Sequence, residues 1–339
     1  MKHTNDSNST EDNEKEVIFM SDPTVAFVIY GLLSFSIILA NSLILLLIWR
    51  KRRLRTTSNM ILTSLAVSDL LTGLVAVPMV IVCSAVMSFE VCLPMDISNR
   101  FLAFSSVGHL TFLCVDRYIR VTKILQYPSI VTEERLRFVL ASVWFFALLA
   151  SMIQLTWILQ PTIPEDTVNR FDLGYDFLHM AALVVVPLLV TSAIYTKLFT
   201  HLRRQGNEIH SELTKRSESQ VNKGRRQVNE KKVALIFIAM MTVFIVGLFF
   251  YFLWALMEDL HAIGQDSLSP KAAIAIVSTI IFFRFLTALC NPLLCTFMKQ
   301  DFRDALKSLV TGLRTSDTVR LTSYSSRARA ASSVYSSRE

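Results

Sequence analysis

Residues 111–121 read TFLCVDRYIRV. An apolar run stops there at the charged triplet Asp116-Arg117-Tyr118, and a basic, turn-rich segment with Lys123, Tyr127 and Pro128 follows. A charge pair at the end of a membrane-length apolar stretch is costly unless it lies at the water boundary or is paired. Two readings fit the triplet. It is a helix-end salt bridge of local importance only, or it is a switch in which Asp116 holds Arg117 until another partner takes it. The surrounding chain has to decide between them.

The chain has 339 residues, 52% hydrophobic and 18% charged, with mean hydropathy +0.46. A soluble domain sits nearer one quarter charged. The apolar excess is gathered in blocks at 24–49, 58–87, 91–122, 135–159, 177–202, 231–257 and 270–297. Each reaches the roughly 20 residues needed to cross a bilayer as a helix. An eighth stretch, 300–310, is short and amphipathic. Phe302, Ala305, Leu306 and Leu309 share one face, with Arg303 and Lys307 elsewhere, so it is expected to lie along the membrane surface. The expected fold is therefore an all-α membrane protein, a seven-transmembrane helix bundle with a short amphipathic eighth helix.

Charge gives the orientation. The first, third and fifth connections are basic, with Arg50, Lys51, Arg52, Arg53 and Arg55 in the first and ten Lys or Arg residues across 196–232 in the fifth. The second, fourth and sixth are acidic, through Glu90 and Asp96, Glu165, Asp166 and Asp172, and Glu258, Asp259 and Asp266. Basic loops face the cytoplasm, so the N-terminus is expected outside and the C-terminus inside. This distribution also accounts for the net charge of +7 without nucleic acid as a partner. Residues 1–23 are polar, acidic and expected to be an extracellular disordered tail. Asn5 and Asn8 head glycosylation triplets there. That tail is unlike a cleavable leader, so the first helix is expected to act as its own insertion signal. Residues 24–310 form the membrane domain. Residues 311–339 form a cytoplasmic Ser/Thr-rich tail, expected to be disordered, where phosphorylation can add charge. The five cysteines show no disulfide framework or metal-binding spacing.

Seven helices with the N-terminus out and Asp116-Arg117-Tyr118 at the inner end of the third resemble the rhodopsin-like (class A) G-protein-coupled receptors. Further markers stand in the matching order: Asn41 in LANSLILL, Asp69 in LAVSDLL, Cys92 at the outer start of the third helix, Trp144, Pro187, Tyr195 and Asn291-Pro292. The resemblance covers about residues 24–310. It implies a plasma-membrane receptor that binds an extracellular ligand and activates a heterotrimeric G protein, with arrestin and receptor kinases acting through the tail. It implies a coupling switch of Asp116, Arg117, Tyr118, Tyr195 and Glu230, the last an acidic partner for Arg117. It also implies a sodium ion held by Asp69 with Asn41, Ser106 and Asn291, against the alternative of a protonated Asp69 in a hydrogen-bonded network. No other cofactor is expected.

Helix hinges are expected at Pro187 and Pro292, where a backbone donor is missing, and at Gly247, because the sixth helix carries Gly247-Leu248-Phe249-Phe250 in place of the family's Cys-Trp-x-Pro. Phe244 stands where the family has a packing-switch Phe. The seventh helix ends NPLLC, with Cys295 where the family has Tyr. Cys92 usually pairs with a cysteine of the second outer loop, and 157–178 contains none; Cys83 is one substitute. The position that carries Asp in aminergic receptors is Asn99. Asp96 lies one turn earlier, with Arg100 spaced to pair with it.

By position, Asp96, Asn99, Arg100, His179 and Arg284 are the ligand-pocket candidates, and the amine-like and adenosine/melanocortin-like groups are the nearest ones. A multi-helix transporter is the alternative, but no inverted repeat is visible. Enzyme chemistry is not expected, since His109 and His179 lack partners with catalytic or metal-binding spacing. His109 reads instead as a bundle residue hydrogen-bonded across helices.

Overall fold

In a bilayer the backbone must satisfy its own hydrogen bonds, and helices do so within one segment. The computed structural model describes residues 22–211, 242–243, 245–254, 256–257, 270–298, 300–309 and 311, and among them it is helical with no strand. Helix α1 is Pro23–Arg50, α2 is Thr57–Val86 and α3 is Phe89–Thr122. Helix α4 is Glu133–Met152, followed by a helical turn at Leu155–Ile158. Helix α5 comprises Glu165–Met180, a π turn and Val186–Ser211. Helix α6 contains Ile245–Trp254, α7 is Pro270–Met298, and α8 covers 300–309. The chain is a seven-helix membrane bundle with an eighth helix beside it.

Local chemistry sets the ends. The Asp22 carboxylate accepts from the Thr24 amide at 2.9 Å with Pro23 at the first helical position, the preferred start of a helix. Thr56 and Thr132 cap α2 and α4 in the same way. At the inner end of α1, the Arg55 guanidinium donates to the carbonyls of Ile48 and Trp49. A cation there satisfies carbonyls that have no partner within the helix.

Two helices contain a π turn, Thr72–Ala76 in α2 and Ala181–Val185 in α5. Each lies just before a proline, Pro78 or Pro187. A proline ring collides with the carbonyl four residues back and donates nothing to it. Those carbonyls belong to Leu74 and Leu183, inside the two π turns. The wider turn absorbs the misfit, with the Val77 and Val186 amides bonding to the Thr72 and Ala181 carbonyls instead.

The fifth helix begins at Glu165, not near Phe177 as hydropathy suggested. Glu165, Asp166, Asp172 and Asp176 end an apolar stretch, but they do not end a helix that continues past the lipid boundary. Five described helices are long and apolar enough to cross a membrane. The 34-residue α3 is not among them because it carries Asp96, Arg100, Asp116 and Arg117. Apolar side chains such as Leu32, Phe35, Phe146 and Leu189 point outward, as a lipid solvent allows.

Inside, one apolar cluster includes Ile44, Leu65, Leu110, Leu113 and Leu248, and a second includes Tyr30, Ile37, Ala76, Leu102 and Phe285. Asn41 lies between Ile37 and Ile44 on α1, and Asp69 between Leu65 and Ala76 on α2, so a polar layer separates the clusters. The expected face of α8 is the buried one: Phe302 and Ala305 pack into the first cluster with Leu306 and Leu309 beside them. Arg53 of the first inner connection fastens it, 2.7 Å from Asp301.

Close helix approaches need glycine. A Cβ on Gly108 of α3 would lie 2.7 Å from Val143 Cγ1 of α4, a side chain with one stiff torsion. A Cβ on Gly174, on the outer extension of α5, would meet nothing within 4 Å. Gly108→Ala is therefore expected to destabilise the full-length protein in detergent by about 1–3 kcal/mol through overpacking. Gly174→Ala is expected to stabilise it by up to about 1 kcal/mol through helix propensity. Thermal unfolding of the two variants checks this, and a shift of the same sign in both would contradict the packing account.

Candidate functional site: a ligand cavity, a polar layer and an inner switch

The functional residues fall at three depths. At the inner end of α3, Asp116 and Arg117 are both buried, and their nearest ion-pair atoms are 3.7 Å apart. That is a loose contact. The shorter bonds to Asp116 come from hydroxyls: Ser58 Oγ of α2 donates at 2.7 Å and the Tyr127 phenol at 2.5 Å. Burial raises the Tyr127 phenol above its ordinary pKa, which keeps it a donor. Arg120 lies 4.4 Å over the Tyr127 ring, a cation–π contact that fixes the turn Tyr127–Ile130 against α3. Both readings of the triplet pair Asp116 with Arg117, and the structure adds to that pair two hydroxyl partners for Asp116 from elsewhere. Neither partner was legible beforehand, since Ser58 lies 58 residues away and nothing in the Tyr127 segment points back to Asp116. Tyr118 is half-buried and Tyr195 is 43% exposed on α5. Glu230 and Phe244 lie outside the described residues.

In the middle layer, Asp69 is fully enclosed. Asn291 Nδ2 donates to one of its oxygens at 2.8 Å and Ser106 Oγ to the other at 3.3 Å. Ser106 also meets Ser68 at 3.1 Å. Asn41 departs from its expected role as a direct partner. Its amide donates to the carbonyls of Ile37 at 3.0 Å and Ala288 at 3.2 Å, tying α1 to α7. It remains near Asp69 as part of the lining of a shared cavity with Asn291 and Pro292. Asp69, Ser68 and Ser106 present hard oxygen atoms, the donor type a sodium ion requires.

Beside this layer, His109 bridges helices as expected. Its Nδ1 is 2.6 Å from the Ser105 carbonyl and so carries the proton. Its Nε2 then accepts from Ser64 Oγ at 2.7 Å, while Trp144 Nε1 donates to the same Ser64 oxygen at 2.9 Å. The cluster spans α2, α3 and α4, and all its polar groups are used internally.

Toward the outside, Arg100 donates from Nε to Asp96 at 2.7 Å and from Nη1 to Asp176 of α5. The pairing with Asp96 follows from the spacing along α3. The pairing with Asp176 was missed, because Asp176 reads as part of an acidic loop. Its signal was the helical stripe Asp176, His179 and Leu183, all buried on one face of α5. His179 is wedged among aromatics, with ring centroids 3.9 Å from Tyr175 and 4.7 Å from Phe104. Its Nδ1 donates to the Tyr175 carbonyl at 2.8 Å, which leaves Nε2 as an acceptor with no partner among the described residues. Arg284 of α7 is buried. It donates to the Asn99 backbone carbonyl at 2.7 Å and sits 4.5 Å over the Tyr251 ring of α6. The Asn99 side chain donates to Met95 Sδ at 2.8 Å, and its Oδ1 has no partner among the described residues. Asn99 and Arg284 border a cavity that extends inward to Ser106 and Asp69.

Cys92 is bonded to Cys83, with Cα atoms 5.0 Å apart, so the outer end of α3 is tied to the outer end of α2. Gly247 lies within a continuous helical run, and a Cβ there would come 2.9 Å from Thr287 Cγ2 of α7. A glycine at that position serves close α6–α7 packing as directly as bending. Pro292 lies within the continuous helix α7, and Pro187 follows the π turn of α5.

Residues 40–294 match the family model of the 7 transmembrane receptor (rhodopsin family). The histamine H2 receptor of Canis lupus familiaris is 26% identical over 285 residues, 80% of this chain and 75% of that protein. The trace amine-associated receptor 9 of Homo sapiens is 28% identical over 321 residues, 88% of this chain and 89% of that protein. A QRFP-like peptide receptor of Branchiostoma floridae is 24% identical over 314 residues, 86% of this chain and 78% of that protein. The matched span holds all three polar layers, from Asn41 to Asn291, and the chain belongs to the rhodopsin family of seven-transmembrane receptors, G-protein-coupled membrane proteins and not an enzyme family.

Proposed function

We propose that this receptor sits in the plasma membrane with its N-terminus outside. A small extracellular ligand enters between α3, α5 and α7, and the response appears at Arg117 for a heterotrimeric G protein. The observation that supports this most is the polar path from the outer side to Asp69, with α3 continuing from it to the inner charges. The outer cavity runs from Arg284 and Asn99 down to Asp69, and α3 carries Asn99, Ser106, Asp116 and Arg117 along one rigid element. A ligand that binds one arrangement of these helices better than another shifts the population between them. Relatives named for histamine and trace amines support a nitrogen-bearing ligand. Asn99 in place of a carboxylate argues against simple monoamine recognition. Arrestin and receptor kinases would act on the Ser/Thr-rich tail, residues 311–339.

In the resting state Asp116 is engaged by Ser58 and Tyr127, and Arg117 is kept beside it. Removing one such bond costs about 1 kcal/mol, enough to move a two-state equilibrium about fivefold. Tyr127→Phe and Asp116→Asn are expected to raise ligand-independent nucleotide exchange several-fold, and Arg117→Ala to lower it. Glu230→Ala is expected to act like Asp116→Asn if Glu230 is the second restraint on Arg117. Exchange on a purified G protein, at matched receptor amounts, measures all four. Unchanged basal activity in Tyr127→Phe together with Asp116→Asn would remove the restraint from this account.

The oxygen atoms around Asp69 fit a sodium ion, which would supply the positive charge that a buried carboxylate lacks. Asp69, Ser68, Ser106 and Asn291 would hold it, and the ion would favour the resting packing of α2, α3 and α7. Raising sodium at constant ionic strength, with choline as the replacement, is expected to lower basal exchange and raise the unfolding temperature. Asp69→Asn should abolish both effects. Equal sodium responses in the two proteins would exclude this role for Asp69.

A further inference from the structure

Four buried or half-buried formal charges, Asp96, Arg100, Asp176 and Arg284, lie at the outer end of the bundle, and they are not evenly matched. Asp96 and Asp176 both close on Arg100. Arg100 is therefore doubly paired, and the Asp96–Arg100–Asp176 group carries a surplus negative charge. Arg284 has no carboxylate partner among the described residues. Its contacts are one backbone carbonyl and the faces of Tyr251 and Phe285. A guanidinium carries five donor hydrogens in a planar fork suited to a carboxylate. A single carbonyl leaves most of that capacity unused at a depth where an isolated charge is expensive. The cavity boundary includes Arg284, so the fork borders open space and not packed atoms alone.

The unused acceptors give the complementary half. His179 Nε2 and Asn99 Oδ1 are buried without a donor among the described residues. Buried polar groups are nearly always paired, and each exception needs an explanation. Both atoms lack a hydrogen to accept, and both lie close to the surplus negative charge: Asn99 adjoins Arg100 on α3, and His179 follows Asp176 by one turn on α5. The Asn99–His179 side of this charge group therefore calls for an N–H donor bearing positive charge, and the Arg284 side for an anion.

We infer that the ligand is zwitterionic, a small molecule carrying both an ammonium and a carboxylate. Its acid group pairs with Arg284 and its ammonium faces His179, Asn99 and the Asp96–Asp176 side. This rests on the proposal that the ligand enters between α3, α5 and α7, and it goes further by naming the ligand's charge pattern. It also distinguishes this receptor from one that recognises an amine by a carboxylate alone. Here Arg284 takes the acid group, while Asn99 of the third helix offers the ammonium only a neutral amide. The aromatic surround of Phe104, Tyr175, Tyr251 and Phe252 suits an apolar ring between the two charged ends.

Three probes share one phenyl ring and differ only in charge: phenylalanine, 3-phenylpropionate and phenethylamine. Each is added at up to about 10 mM to the purified full-length receptor, and the unfolding temperature is read. A ligand that binds only the folded state raises that temperature, by about 2 °C or more once its concentration is well above Kd. In the wild type, phenylalanine should stabilise most. In Arg284→Gln, 3-phenylpropionate should lose its effect and phenylalanine should fall to the level of phenethylamine. Arg284→Lys, which keeps the charge, should retain part of the preference and guards against a folding defect in the neutral variant. Phenethylamine equalling phenylalanine in the wild type would overturn the inference. So would an acid effect that survives Arg284→Gln, or the absence of any shift with both acid-bearing probes. Basal nucleotide exchange measured on the same preparations reports the receptor reading separately, because it needs no ligand.

Discussion

The carboxylate of Asp69 lies fully enclosed where α2, α3 and α7 meet, and the bundle is arranged around keeping it tolerable. Placing such a group at mid-bilayer costs ~2.5–3.5 kcal/mol on insertion scales. Hydrogen bonds from Asn291 and Ser106 offset part of that cost, and they draw α7 and α3 toward α2. Asn41 adds α1 by bonding a carbonyl of α7. The apolar clusters on either side have no such directionality. Dispersion packing holds helices together in lipid, but polar contacts set which residues face each other. The register of the central helices therefore follows from a few polar atoms rather than from the many apolar ones.

The same rule governs the other two layers. At the outer end, Arg100 joins α3 to α5 through Asp176, and Arg284 joins α7 to α3 through the Asn99 carbonyl while resting on Tyr251 of α6. At the inner end, Ser58 and Tyr127 join α2 and the second inner connection to Asp116. Helix α3 contributes to every layer, with Arg100 outside, Ser106 in the middle and Asp116 inside, and the partners come from other segments. A shift of α3 against its neighbours disturbs each set, at α5 and α7 outside, at α2 in the middle, and at α2 and the second inner connection inside. Packed interfaces of this kind hold discrete arrangements and do not deform smoothly, which is what a receptor needs to report an outside event on its inner face.

Backbone accommodation is local by comparison. The π turns before Pro78 and Pro187 keep α2 and α5 continuous where an α-helical ladder would collide with the proline ring. Gly108 and Gly247 let α3 approach α4 and α6 approach α7. The disulfide between Cys83 and Cys92 closes the short outer connection between α2 and α3. The family's usual bridge runs to the second outer loop. Here 157–178 contains no cysteine, and the chain there is instead drawn into the outer extension of α5.

Much was legible in the sequence because lipid imposes simple rules. Apolar length marks the spans, and the buried face of α8 was readable from Phe302, Ala305, Leu306 and Leu309 at helical spacing. The Asp96–Arg100 pair was readable for the same reason, since residues four apart on a helix are neighbours whatever the tertiary fold. The start of α5 was not, because hydropathy reports where lipid ends and Glu165–Met180 continues as helix beyond it. Contacts between distant segments were closed to inspection: Asp116 with Ser58 and Tyr127, Arg100 with Asp176, Arg284 with Asn99. Asn41 shows the limit most clearly, since its depth beside Asp69 was readable and its hydrogen bonds to the Ile37 and Ala288 carbonyls were not. The sequence by itself determined the number of helices and the depth of each polar group, because span length and position within a span are properties of one segment. Only the tertiary structure decided which polar groups meet, because that depends on the rotation and translation of each helix against its neighbours, to which apolar spans of similar composition are nearly indifferent.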